Sequence, residues 1–507
     1  MSYLILLLYL VALLWQPPTL KAQSLDEKGS IFKKIEVQAT TVLSQEEIEE
    51  IASPYLNKSV TLSELLLLQQ QLTQAYVAKG YFTSFVIFEY QDSNGTVIFK
   101  AIEGSGKLDI EATGLRDRYV ERQLDRFVST PLNLDRLQEG LTLLRTNPLI
   151  KDLNATVNPE DNIKEKVIGV NAIANPAWEI GVEGSNDENP IVGAWGVRGF
   201  IDNNNVAGGG EQFRTEYKVT EGLNRWLVGV TMPINLTNSK VELTYQQSDS
   251  RIIDGFFEDF DIRNHNSVVS VSFSQPIWQK INETLDFSVA VDHRESQSFI
   301  LKDELFTDIR LLAIRLNQTY INRSPNTLII GLSQFSIGRS NQNIDSTFFH
   351  WQGQAQVLWN FGIGELYSRL ALQLSPHTLP NIEQCAIGGR NGNEFVFGNM
   401  VRGYTTNIRT GDNCLALTLE VRFPVYRSQL LQLSIFPFVD VGTVWNNSGG
   451  SLSPQTLIGT GIGGRLSVGE YLFVQTNYGF PLTDSENPFE EQFKQAFSVL
   501  IQGRIRF

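Results

Sequence analysis

Two charged residues in the last third of the chain sit where a charge needs a partner. Asp440 lies in Pro437–Trp445, PFVDVGTVW, where alternation puts Phe438, Asp440 and Gly442 on one face and Pro437, Val439 and Val441 on the other. A carboxylate on the polar face of an otherwise apolar strand calls for a cation. Arg402, in Met400–Thr406 (MVRGYTT), is one candidate, because a planar guanidinium can hold a carboxylate through two parallel hydrogen bonds. Arg422 and Arg465 are the alternatives, with Arg402 then left in solvent. This is the chemistry of a charge clamp rather than of catalysis. The four histidines, His265, His293, His350 and His377, are scattered and in no metal-ligand spacing. No nucleophile elbow, phosphate-binding loop or dinucleotide fingerprint occurs. An enzyme is therefore not expected, nor a cofactor or a nucleotide. A net charge of −14 argues against a nucleic-acid partner, which selects a basic face.

The elements that would position such a clamp follow from alternation. Beyond Pro176 no helical period survives. In the C-terminal run FKQAFSVLIQGRIRF, Phe493, Phe497, Val499, Ile501, Ile505 and Phe507 point one way. Lys494, Ser498, Gln502, Arg504 and Arg506 point the other. ALTLEVRFPV sets Leu415, Leu417, Leu419, Val421 and Phe423 against Thr418, Glu420 and Arg422. Runs near 177–183, 192–200, 211–220, 225–232, 240–248, 267–274, 284–292, 309–317, 327–336, 349–359, 366–374, 414–423, 431–441, 457–467, 471–479 and 495–507 read as sixteen strands. An even number suits a closed antiparallel barrel with an apolar outside and a wet lumen. If the first strand rises from the periplasm, the inner connections are mostly short and the outer set contains the longest, 375–413. Arg402 lies in that connection, which is long enough to fold inward. Gly459, Gly461 and Gly463, beside the Asp440 strand, either let the barrel curve or leave room for the loop.

The N-terminal part differs. Tyr3–Trp15 is an apolar run too short to span a membrane, followed by QPPTLKA, and reads as a signal peptide of residues 1–22. Residues 23–31 form a linker. Two α/β units of similar size follow, 32–104 and 105–174, each in the order strand, helix, helix, strand, strand. The first unit's helices open on capping boxes, Ser44 with Glu47 and Thr61 with Glu64, and its last strands turn near Asn94-Gly95. An αβ unit leaves sheet edges to which an extended partner strand can add.

At this point the chain resembles the two-partner-secretion outer-membrane transporters, the haemolysin and filamentous-haemagglutinin secretion proteins of the outer-membrane assembly-factor superfamily. The resemblance rests on Val401-Arg402-Gly403-Tyr404 in the loop between strands 11 and 12, Phe438-x-Asp440-x-Gly442 on strand 13, and a C-terminal Phe507. It implies a mixed fold: two tandem small α/β POTRA domains followed by a 16-stranded antiparallel transmembrane β-barrel over 175–507. It implies that the loop folds into the lumen, that Arg402 pairs with Asp440, and that Gly403 and Tyr404 shape the tip. It implies an outer-membrane pore in contact with lipid, with POTRA domains in the periplasm that recognise a secreted exoprotein passing through unfolded. The alternative within the superfamily is a factor that inserts other barrels.

Three features depart from the family. Residues 390–400 (RNGNEFVFGNM) lengthen the stretch between Gly388-Gly389 and Val401. The short segment before the first unit leaves no room for a helix that plugs the pore. Cys385 and Cys414 stand at the two ends of the long loop, near the tops of adjacent strands. In an exported chain they either form a disulfide or remain two free thiols.

Overall fold

The computed structural model describes residues 30–91, 95–158, 165–234, 238–255, 258–301, 303–342, 347–389, 401–448, 455–483 and 495–507. The signal-peptide reading, most of the linker and the long insert 390–400 lie outside the described residues. The chain divides into two compact units, one ending at Asn175 and one beginning at Pro176.

In the first unit the predicted repeat is visible as a repeated pairing order. Strand Lys34–Gln38 runs parallel to Thr96–Ile102, which pairs antiparallel with Phe85–Gln91. In the second half Ser105–Thr113 runs parallel to Glu165–Ala174, which pairs antiparallel with Ile150–Asn158. Each sheet carries two helices, Gln45–Ala52 with Leu62–Ala78 and Asp117–Leu124 with Leu134–Arg145. Both capping boxes form as the spacing requires, Ser44 with Glu47 and Thr61 with Glu64. Hydrogen bonds to Glu47 from Lys79 and from the Ser44 amide hold that carboxyl down at about 2. The helices bury Leu65, Leu68, Leu72 and Tyr76 in one core and Val120, Leu124, Leu137 and Leu144 in the other.

One strand is shorter than its apolar run suggests. Tyr81–Ser84 turns instead of pairing, because the Thr83 hydroxyl donates to the Gly104 carbonyl at 3.3 Å and the Ser84 hydroxyl accepts from the Gly104 amide at 3.1 Å. A Cβ on Gly104 would lie 2.4 Å from the Thr83 carbonyl, so only glycine fits at this end of the first half, where the Gly104 carbonyl also accepts from the Leu132 amide of the second. Asn133 completes that joint. Its side chain donates to the Lys79 carbonyl at 2.9 Å and caps Leu134–Arg145 through the Asp135 and Arg136 amides.

The second unit is a closed barrel of sixteen antiparallel strands, numbered here in chain order: Trp178–Ser185, Gly196–Asn203, Gln212–Val219, Leu223–Pro233, Lys240–Arg251, Arg263–Gln279, Glu283–Ile300, Glu304–Arg323, Thr327–Ser340, Thr347–Asn360, Glu365–Leu374, Asn413–Arg427, Leu431–Trp445, Gln455–Val468, Leu472–Pro481 and Phe497–Arg506. Every strand expected from alternation is present, with the expected facing: Leu415, Leu419 and Phe423 are exposed, while Thr418, Glu420 and Arg422 are buried in the lumen. Strands 6–8 are the main difference. They hold 17, 18 and 20 residues, well beyond the roughly 9–11 that cross a bilayer. HRESQSF (293–299), in the extended part of strand 7, is polar at both alternating positions and carries no apolar alternation to read. No helix among the described residues is long and apolar enough to cross a membrane.

Replacing Asn133 with Ala should cost about 1 kcal/mol of local stability through the lost cap. Hydrogen exchange across Leu134–Arg145 in the intact protein should then quicken by roughly fivefold; unchanged protection would remove Asn133 from that role.

Candidate functional site

The described parts of the connection 375–412 enter the lumen as two paired arms. Cys385–Ile387 pairs with Arg409–Gly411, and Gly389 bridges to Val401. Gly388 and Gly389 take φ of 114° and 68°, a region L residues avoid, so the paired glycines make the bend. The tip then packs Val401 and Tyr404 with Ile387, Val444 and Leu457.

The tip carries Arg402 to Asp440. The guanidinium donates from Nε to Asp440 Oδ2 at 2.7 Å and from Nη2 to Oδ1 at 2.9 Å, the bidentate fork. The Arg402 amide donates to Oδ2 at 3.0 Å. Nη1 reaches Glu420 Oε1 at 2.8 Å and Asn477 Oδ1 at 3.4 Å. The plane of Phe438 lies under the guanidinium, 3.5 Å from ring centroid to Cζ. The Arg402 side chain is 2% exposed and that of Asp440 0%. Two such charges taken from water roughly break even when paired, but stranding one costs about 3–5 kcal/mol.

The rest of the motif makes the approach possible. A Cβ on Gly442 would stand 2.6 Å from Val401 Cγ2, and one on Gly459 only 2.0 Å from the Arg402 carbonyl oxygen. Gly403, at φ 97°, lies against the backbone of Phe480 and Pro481. The Tyr404 hydroxyl, with one proton to donate, lies 2.9 Å from the Ile458 carbonyl and 3.0 Å from the Thr483 carbonyl, and accepts from the Thr483 amide. Of the strand 14 glycines, Gly459 makes room for the loop, whereas Gly461 and Gly463 make room for the Phe438 and Phe436 rings of the wall.

Neither Arg422 nor Arg465 takes Asp440. Both go to Glu420: Arg422 Nη2 is 2.8 Å from Oε2 and Arg465 Nη2 3.7 Å. Alternation places Glu420 inward but does not mark it as a second acceptor for Arg402. With two carboxylates already serving three arginines, the loop arginine is one part of a charge lattice rather than half of an isolated pair.

Cys385 and Cys414 are joined, with Cα atoms 6.3 Å apart, and tie the loop base to the start of strand 12. Beside them Asp412, fully buried, accepts from the Leu379 and Asn447 amides and from Gln384 Nε2. Phe507 stands apart from the loop. Its backbone exchanges hydrogen bonds with Trp178, joining the end of strand 16 to the start of strand 1, and its ring is exposed on the barrel's outer side.

With this geometry in view, the comparisons with known proteins are specific. The sequence model described as haemolysin secretion/activation protein ShlB/FhaC/HecB matches residues 168–466, and the model described as POTRA domain, ShlB-type, matches 31–104. The chain is 24% identical over 231 residues to the outer membrane transporter CdiB of Escherichia coli; the match takes in 42% of this chain and 37% of that protein's length. The fold is similar to the solved structure of CdiB from Escherichia coli, with a TM-score of 0.69 at 18% identity, covering 96% of this chain and 93% of that one. It is also similar to BamA from Haemophilus ducreyi lacking POTRA domains 1–3, with a TM-score of 0.57 at 12% identity over 94% of this chain and 100% of that one.

Two outcomes test the site. Gly459→Ala should displace the tip in a barrel that still assembles, exposing the 401–406 segment to limited proteolysis; a tip as resistant as in the parent would refute the fit. Thiol titration of the unreduced, denatured protein should find no reactive cysteine, and two after reduction.

Proposed function

The chain belongs to the haemolysin secretion/activation protein family, ShlB/FhaC/HecB, and from that membership we propose that it exports a partner protein through its barrel to the cell surface. The barrel resides in the outer membrane, with the POTRA segment on the periplasmic side. The observation that supports the reading is the docked tip: an arginine is held by Asp440 and Glu420 inside a closed lumen, where a passing chain would meet it. The POTRA sheets support capture. In each, the central strand is flanked by two edge strands, and an extended segment can add to an edge through backbone hydrogen bonds with little demand on side chains.

The second reading is insertion of other barrels, favoured by the fold shared with BamA. An insertase is served by a seam that parts between first and last strands. Here strands 1 and 16 pair from Ser185↔Leu500 to Glu179↔Arg506, as continuously as strands 15 and 16 pair with each other. Asn186 extends the seam by bonding the Phe497 carbonyl and the Val499 amide, and Glu179 binds Arg504 and Arg506 at the other end. A reinforced seam directs cargo along the lumen.

Deletion should remove one secreted protein from the medium and leave the other outer-membrane barrels at normal levels. Complementation with Arg402→Ala should restore a heat-modifiable barrel but not export. Loss of many barrels on deletion would favour insertion, and undiminished export by Arg402→Ala would remove the tip from the mechanism.

A further inference from the structure

The long loop has a second charged anchor, on a different stretch of wall. Before the disulfide, Asn381–Glu383 forms a single helical turn opened by Pro380. That turn sends Glu383 to strands 7, 8 and 10. Arg315 on strand 8 forks onto the carboxylate, Nη2 to Oε1 at 2.8 Å and Nη1 to Oε2 at 3.0 Å. Arg294 on strand 7 approaches Oε1 at 3.2 Å, and His350 on strand 10 meets Oε2 at 2.9 Å. Asp292 takes the remaining face of Arg315 through Nε at 2.5 Å, and Ser336 accepts from Nη1.

The side chains of Glu383, His350 and Arg315 are 2%, 1% and 7% exposed. Around them Leu379 and Ile382 of the loop pack on Leu311, Ala313 and Phe348 of the wall. His350 Nδ1 has no partner among the described residues, so the imidazole's polar contact is the one the loop supplies. A buried carboxylate with two guanidiniums and an imidazole converging on it is costly to strand from either side. These wall groups, supplied by strands 7, 8 and 10, have a loop residue as their common acceptor. The tip anchor at Asp440 lies on strand 13.

We propose that Glu383 is a positioning residue for the luminal loop: it clamps the descending arm to strands 7–10, so that the loop is held across the lumen from two walls. The clamp and the tip are separable. Between them stand the Cys385–Cys414 bond and the ribbon of Cys385–Ile387 with Arg409–Gly411. When a passing chain displaces Arg402, the Glu383 arm and the disulfide keep the loop tethered, and the tip returns to Asp440 instead of leaving the lumen.

This inference rests on the export reading for its purpose, but its test does not need a partner. Purified full-length protein is inserted in planar bilayers and its open-state time compared among the parent, Glu383→Ala, Glu383→Gln and Glu383→Asp, each checked for heat-modifiability. Loss of the charge in Glu383→Gln should raise open-state time by roughly tenfold, the factor for about 1.4 kcal/mol of lost docking. Glu383→Asp, which keeps the charge, should return most of the parental closure. A merely structural residue would lower the temperature of barrel unfolding and leave gating unchanged. Parental gating in both Glu383→Gln and Glu383→Ala, with assembled barrels, overturns the proposal. Failure of the export reading would show separately, as parental secretion of every protein in a deletion strain while the bilayer result still stood.

Discussion

A buried guanidinium fixes the interior of this molecule. Arg402 has left water, and its donors must all find acceptors inside the barrel. That one requirement dictates Asp440 and Glu420 on adjacent strands, an aromatic face at Phe438, and a wall thinned to glycine at Gly442 and Gly459. It also dictates the closed barrel, since an open sheet would admit water to the pair and weaken it. The motif Phe438-x-Asp440-x-Gly442 is thus one surface: a ring to lie on, an acid to bind, and a gap for the neighbouring Val401.

The same requirement accounts for the disposition of the other charges. Arg422 and Arg465 are drawn to Glu420, leaving Asp440 to the loop. On another part of the wall, Arg294, Arg315 and His350 are drawn to Glu383. The lumen is therefore polar without being uniform. Two of its charge clusters are where the loop touches the wall, while Arg198 with Glu183 and Glu216 forms another without it.

Much of this was legible in the sequence because two periodicities are simple. Alternation separates the outward Leu415, Leu419 and Phe423 from the inward Thr418 and Glu420, and a capping box marks each helix of the first αβ unit at its true start. The long connection made an inward loop plausible, and the isolated acid on strand 13 supplied its destination. What was illegible lacks period. The extended part of strand 7, HRESQSF (293–299), is polar at both alternating positions, and the turn at Tyr81–Ser84 is set by a glycine twenty residues away in sequence rather than by its own apolar run. Glu383 stands in a single helical turn, and its three side-chain partners on the wall come from strands 7, 8 and 10, far from it in sequence. Glu420 shows the intermediate case: alternation gives its side of the wall but not which of three arginines it serves.

The unequal strand lengths have a consequence for whatever crosses this barrel. Strands 6–8 hold 17, 18 and 20 residues and strands 1–3 only 8 each, and strand 8 begins at Glu304 but pairs with strand 9 only from Leu311. The edge of the barrel is thus uneven where strand 8 outruns strand 9. On the export reading, a polypeptide emerging there would pass that uneven edge, and its first turn outside would have a favoured side.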